Sequence, residues 1–314
     1  MTRMLPGALA TVAAAGAIAC LPWLGASGYV QAVAYYFTYT LALGQAWNLM
    51  SGMTGYVSFA HGALAGIGGY ATVMALNAEW PFAAAIVVAP LAAVAASLVI
   101  GGTSLRLRGT AFTFATLFFQ ELVLLVLRKL PMTGGPGGLA LAEILPVWLP
   151  QVMMAALAGA ATLLMLGVRG SRLGVRLLAI KGDETAAAAL GIGANRLKLL
   201  VFGLSAAVAG LAGSVHGLFT ASLYPDVVFS VDVSLVALAV PLIGGVATAF
   251  GPVAGAILYV GLGEMLQSLV PGAHLVIVGA VLLAVILFMP RGLLPFLLLR
   301  RRAAPARLAE AAGE

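Results

Sequence analysis

RGSRLGVRLLAIKGDETAAAALGIGANRLK, residues Arg169–Lys198, is the one long polar interval in an otherwise oily chain. It holds six cations, Arg169, Arg172, Arg176, Lys181, Arg196 and Lys198, and two acids, Asp183 and Glu184. Asp183 is suited to cap a short helix, its carboxylate taking first-turn N–H groups, with Glu184 at the positive end of the helix dipole. Ala186–Ala189 is a strong helix former, and Gly191 is a natural stop. The interval reads as a short helix, exposed to water, slung between two membrane-embedded halves. Lys181, Gly182, Asp183, Glu184, Thr185, Ala186, Ala187 and Gly191 are expected to form a docking element for a soluble partner.

The flanks decide why such an element must be carried by a membrane. Hydrophobic residues make up 62% of the chain and charged residues 8%, with a mean hydropathy of +1.10. A soluble globule carries about 25% charged residues and could not cover its surface with so few. The apolar runs are about 20 residues long, which suits helices crossing a hydrocarbon core and not the alternating strands of a barrel. The fold class is therefore all-α: a polytopic membrane helical bundle of about ten spans, eight to ten in all. Residues 1–314 are read as a single transmembrane domain, 169–198 as a loop within it and 303–314 as a disordered tail. The single Cys20 excludes a disulfide framework within the chain.

Spans are expected at 7–25, 29–50, 56–77, 82–104, 110–130, 149–168, 199–222, 231–250, 252–270 and 273–289. The first is read as an uncleaved span rather than a signal peptide, because many more follow. The Gly-rich piece 51–70 invites a break or a re-entrant turn. With ten crossings and the N-terminus in the cytoplasm, 14 of the 16 basic residues fall inside, leaving Arg128 and Lys129 outside. The inverse topology would violate the positive-inside rule, so both termini and the central loop are placed in the cytoplasm. The same placement accounts for the net charge of +6 without nucleic acid. Leu293–Leu299 is too short to cross and is expected at the inner interface. Five crossings on each side of residues 131–148 permit an inverted repeat, and Asn48–Tyr70 shares a small-residue texture with Val240–Gly261.

Nothing in the chain reads as an enzyme. No phosphate-binding GxxxxGK[ST] loop occurs, and His61, His216 and His274 lack metal-ligand spacing. No metal or cofactor is expected. A transporter so built must draw on an ion gradient, a solute gradient or a partner's ATP. Glu121 and Glu264 lie in or near apolar spans, where a carboxylate either pairs with a neighbouring helix or marks a path for solute or protons. Asn48, Ser51, Thr54, Ser58 and His61 cluster in one apolar region, and must either bond other helices or line a path. Gly62-x-x-x-Gly66, Gly213-x-x-x-Gly217 and Gly251-x-x-x-Gly255 let helices approach closely. PMTGGPGGL, 131–139, is expected as a turn-rich external loop, a plain connector or a gate built around Thr133, Gly134, Gly135 and Gly138.

Taken in order, NLMSGMTGYVSFAHGALAGIGGY (48–70), LRLRGTAFTFATLFFQEL (105–122), TGGPGGL (133–139), GVRLLAIKGDETAAAALGIGANRLKLLVFGLSAAVAGLAG (174–213), LIGGVATAFGPVAGA (242–256) and MPRGLLP (289–295) resemble the permease subunits of branched-chain amino acid ABC importers, of the LivM type. The resemblance implies that 185–191 is the coupling motif that enters a groove of an ATPase, with Thr185 where the EAAxxxG pattern has Glu. It implies an assembly in a bacterial inner membrane with a LivH-type sister permease, two cytoplasmic ATPase subunits and an extracytoplasmic solute-binding protein. The cargo would be branched-chain or other amino acids, with urea, short amides or another small polar solute as the alternative within the family. A proton-coupled secondary transporter is the rival reading of another class.

Overall fold

The computed structural model describes residues 5–107, 109–269, 279–280 and 292–293. The tenth span expected at 273–289, the interfacial stretch after it, His274 and the tail 303–314 lie outside the described residues, apart from those isolated positions. The rest is a helical bundle: α1 (Leu5–Cys20), α2 (Gly28–Trp47), α3 (His61–Asn77), α4 (Phe82–Ser104), α5 (Thr110–Lys129), α6 (Trp148–Gly170), α7 (Arg172–Gly182), α8 (Glu184–Ala189), α9 (Ala194–Thr220), α10 (Pro225–Val228), α11 (Val231–Gly244) and α12 (Gly251–Leu269). A two-residue antiparallel pair, β1 (Leu139–Ala140) with β2 (Ser222–Leu223), sits at the end of the bundle away from α8.

Among the described residues, six helical segments are long and apolar enough to cross a bilayer: α4, α5, α6, α9, the run Pro225–Gly244 and α12. Helices dominate because each satisfies its own backbone polar groups, which lipid cannot do. α9 runs through the middle, half its length buried, and packs on α3 and α4. Glycine permits the closeness. A Cβ on Gly213 would land on the Ala65 carbonyl of α3, and one on Gly68 would land on Gly210 of α9. Such small residues let the helices approach closely, as expected of Gly213-x-x-x-Gly217. Phe112, Phe202, Met154 and Met165 fill the core between α5, α9 and α6.

Two interruptions matter for function. α2 runs past residue 50, as expected, but leaves regular α geometry after Trp47: a π-helical turn, Asn48–Gly52, carries the helix on to 54, and a non-helical stretch, 55–60, follows before α3 begins at His61. Gly55, with φ +80°, makes the turn. The expected span 231–250 stops at Gly244, and residues 245–250 form a loop before α12. The two stretches that share a small-residue texture therefore meet, each where its α-helix is interrupted. Asn48 joins them: its Nδ2 donates to the Thr248 carbonyl at 2.8 Å, and its Oδ1 accepts from the Ala247 amide at 2.8 Å. Gln45 adds a bond to the Ala249 carbonyl at 2.7 Å.

Candidate functional site

The loop that organises the sequence contains two helices where one was expected. α7 was not foreseen. Amid its basic residues, Leu173, Leu177 and Ile180 give it an apolar stripe that docks under the bundle, with Leu177 and Ile180 buried. α8 is the expected short helix. Asp183, in extended conformation, accepts from the amides of Thr185 at 2.7 Å and Ala186 at 3.0 Å. Gly191, with φ +78°, closes it.

The alanine run is not uniformly exposed. Ala187 is 2% exposed and packs with Ile180 and Ala194, while Thr185, Ala186, Ala188 and Ala189 face outward. A residue at 187 therefore points into its own protein. The outward face ends in Leu190, 80% exposed, beside a groove of about 460 Å³ flanked by Arg176 and Arg196.

Two cations of the interval are not free for a partner. Lys198 belongs to α9 and is fully buried, so its place among the loop cations is corrected. Its Nζ lies 2.9 Å from Glu184 Oε1, 3.3 Å from the Leu105 carbonyl and 4.1 Å from the centre of the Tyr56 ring. The Tyr56 hydroxyl donates to the other Glu184 oxygen. Glu184, expected to act through the helix dipole, is thus also a side-chain tie. Lys181 Nζ donates to the Gly52 carbonyl at 2.8 Å. Desolvation of the ammonium and the charge of Arg169 hold the Lys181 pKa below the ordinary lysine value. Gly182 and Asp183 are exposed at the bend between α7 and α8.

The polar cluster Asn48, Ser51, Thr54, Ser58 and His61 is buried throughout and bonded within the chain. Ser51 Oγ accepts from the Ser58 amide at 3.2 Å, and Ser58 Oγ accepts from the Ala60 amide at 3.2 Å. Thr116 Oγ1 accepts from the Phe59 amide at 3.0 Å. Ser234 Oγ accepts from the Gly62 amide at 2.8 Å, and lies 2.6 Å from the Phe59 carbonyl and 2.5 Å from Gln120 Oε1. These side chains take the backbone groups that the helix break leaves open. His61 Nε2 lies 3.2 Å from Ser205 Oγ, whose own proton goes to the Phe202 carbonyl at 3.0 Å. Gln120, Thr116, Ser205 and Ser234 were missed, because uncharged polar residues scattered through apolar runs form no pattern along the chain, even with Glu121 beside Gln120 and Asp232 near Ser234.

Glu121 and Glu264 stand apart from this cluster. Glu121 lies midway along α5, half-buried, on the side carrying exposed Phe114, Phe118 and Leu125. Glu264 Oε2 accepts from the Tyr29 hydroxyl at 2.8 Å, in a groove of about 650 Å³ with Tyr36, Gln267 and Ser268. The glycine-rich loop is not α-helical, as expected, and is built from two short 3-10 turns, Pro131–Thr133 and Gly135–Gly137. Thr133 is buried, its hydroxyl between the Leu127 and Leu130 carbonyls at 2.7 Å each. Gly134, Gly135 and Gly138 all take positive φ. Beyond them the strand pair, Asn77 and an Arg128–Asp226 ion pair tie the loop to α3, α5 and α10.

A family model described as "Branched-chain amino acid transport system / permease component" matches residues 29–286. The chain is 28% identical to the high-affinity branched-chain amino acid transport system permease protein LivM of Escherichia coli K12, covering 87% of this chain and 72% of that one. It is 26% identical to the LivM protein of Salmonella typhimurium LT2 over the same shares. No solved structure was a significant match. These relatives are named as transport permease components, not enzymes. A match over 29–286 takes in all six described segments of spanning length, together with α7 and α8, so this multi-pass chain belongs to the branched-chain amino acid transport system permease family.

Proposed function

We propose that this chain is one of two transmembrane subunits of an ATP-driven importer, passing branched-chain or other amino acids inward from an extracytoplasmic solute-binding protein. A LivH-type sister permease would complete the pathway, and two cytoplasmic ATPase subunits would drive it. The observation that carries this reading is α8: a capped helix at the end of the bundle, presenting Thr185, Ala186, Ala188, Ala189 and Leu190 outward. Small side chains allow a partner groove to approach the helix backbone closely. Arg176 and Arg196 add positive charge that acidic residues of a partner could meet. Closure of an ATPase dimer would displace α8 and switch the spans between outward- and inward-facing states.

The positive-inside count places α8 and both termini in the cytoplasm of a bacterium, with the glycine-rich loop outside. There, Thr133, Gly134, Gly135 and Gly138 would shape the outer gate. Asn48, Ser58 and His61 would hold the interrupted segment that moves during the switch, and Glu264 would face solute near the outer end. Urea, short amides and other small polar solutes remain the alternative cargo, since the binding protein would set most of the specificity.

Glu121 favours a second reading. Among the described residues it has no hydrogen-bond or ion-pair partner, and it lies midway along a spanning helix, where an acid is costly unless used. A proton-coupled carrier would use it. Uptake of labelled leucine into membrane vesicles separates the two. ATP-dependent uptake that survives an uncoupler supports the importer, while uptake driven by a proton gradient without ATP refutes it.

A further inference from the structure

We propose that Tyr56, Glu184 and Lys198 form a strut that carries movement of α8 into the interrupted segment between α2 and α3. Tyr56 and Lys198 are then positioning residues for coupling and not parts of the docking face. The proposal rests on the docking role given to α8 above.

α8 is six residues long and flanked by Gly182 on one side and Gly191 and Gly193 on the other. Such a backbone is compliant: a partner could tilt the helix without moving the bundle, because glycine yields at low cost. Transmission therefore needs side-chain ties that cannot be let go. Glu184 supplies one. Both of its oxygens are engaged, one by Lys198 at 2.9 Å and the other by the Tyr56 hydroxyl. Lys198 has no exposed surface, and among the described residues it also meets the Leu105 carbonyl and the face of the Tyr56 ring. Pulling Glu184 away would strand an ammonium that water cannot reach, which is strongly unfavourable. The carboxylate, the ammonium and the phenol must therefore move as a unit.

The far end of that unit is well placed. Tyr56 lies in the non-helical stretch 55–60, where no continuous helical ladder has to be broken for the chain to shift. Lys181 holds the same region through the Gly52 carbonyl, and a Cβ on Gly55 would press on Lys181. From Tyr56 the chain leads directly to Ser58 and His61, and to Phe59, whose amide is held by Thr116 of α5. Leu105 brings in the end of α4. A displacement of α8 is thus delivered to one of the two breaks in the bundle, and not only along the covalent connections to α7 and α9.

The test uses the full assembly in proteoliposomes, with ATPases, sister permease and binding protein, and reads leucine molecules moved per ATP hydrolysed. Tyr56→Phe removes only the hydroxyl, and Lys198→Met removes the charge while keeping the chain length. Each should lower the transport-to-ATP ratio by about tenfold, an ordinary size for a coupling free energy, while the ATPases still co-purify. An unchanged ratio in Tyr56→Phe overturns the strut, and so does a transport loss matched by an equal loss of bound ATPase. If Lys198→Met does not insert, Tyr56→Phe decides alone. Ala188→Arg, on the outward face, keeps the two ideas apart. If it leaves the ATPases bound, the docking role itself falls. If it releases them while Tyr56→Phe stays fully coupled, only the strut falls.

Discussion

Replacing Ala188 by arginine should release the ATPases without disturbing the permease, and replacing Ala187 should do the reverse. Ala188 is exposed on α8, and arginine is among the residues that helices accept most readily, within about 0.7 kcal/mol of alanine. The bundle should therefore insert and elute as before. In the assembly, however, a long cation would have to enter a groove shaped for a methyl group. Leaving an uncompensated charge at a closed interface costs about 3–5 kcal/mol, which is roughly 150- to 4,000-fold in affinity. At Ala187, 2% exposed against Ile180 and Ala194, the same substitution must expel α8 from its seat or bury the charge within the permease. Its effect should appear first as lower yield and a lower unfolding midpoint. The assay is pull-down of the ATPases on tagged permease, with thermal unfolding of the detergent-purified permease measured beside it. Full ATPase recovery with Ala188→Arg would refute the assignment of this face.

Asn48→Leu removes the side chain that joins the two breaks and leaves the Thr248 carbonyl and the Ala247 amide without it. At about 1–3 kcal/mol for each orphaned group, the loss is about 2–6 kcal/mol, and should lower the unfolding midpoint clearly. An unchanged midpoint would show that the joint contributes nothing. Topology gives another test. In a Cys20→Ser background, Ala186→Cys should react with an impermeant maleimide in inside-out vesicles and stay unlabelled in intact cells. Labelling in intact cells would place α8 on the wrong side for any ATPase.

Much of this was legible in local chemistry. Apolar runs of spanning length, capping by Asp183 and the stop at Gly191 all act within a few residues, so their consequences can be read along the chain. The Gly-rich piece 51–70 foretold the break before α3 for the same reason, because a helix in lipid tolerates such a stretch only when something else bonds its backbone. The ordered motifs carried the family in the same way. Span ends were less faithful: nothing local told that α2 would widen into a π-helical turn after Trp47 or that α9 would begin as early as Ala194.

The tertiary structure alone decided which side chains meet. Tyr56 reaches Glu184 across 128 residues and Asn48 reaches Thr248 across 200, and no periodicity encodes such pairs. Lys198 looks in the sequence like one more cytoplasmic cation, yet its place on α9 turns it inward beneath α8. Ala187 is chemically identical to Ala186 and Ala188, and only the seat of α8 on Ile180 and Ala194 makes it an interior residue. Backbone propensity acts over one turn, so a sequence can state that a helix exists and where it is capped. Which of its faces is covered depends on how distant segments pack against it, and that is settled only when the whole chain has folded.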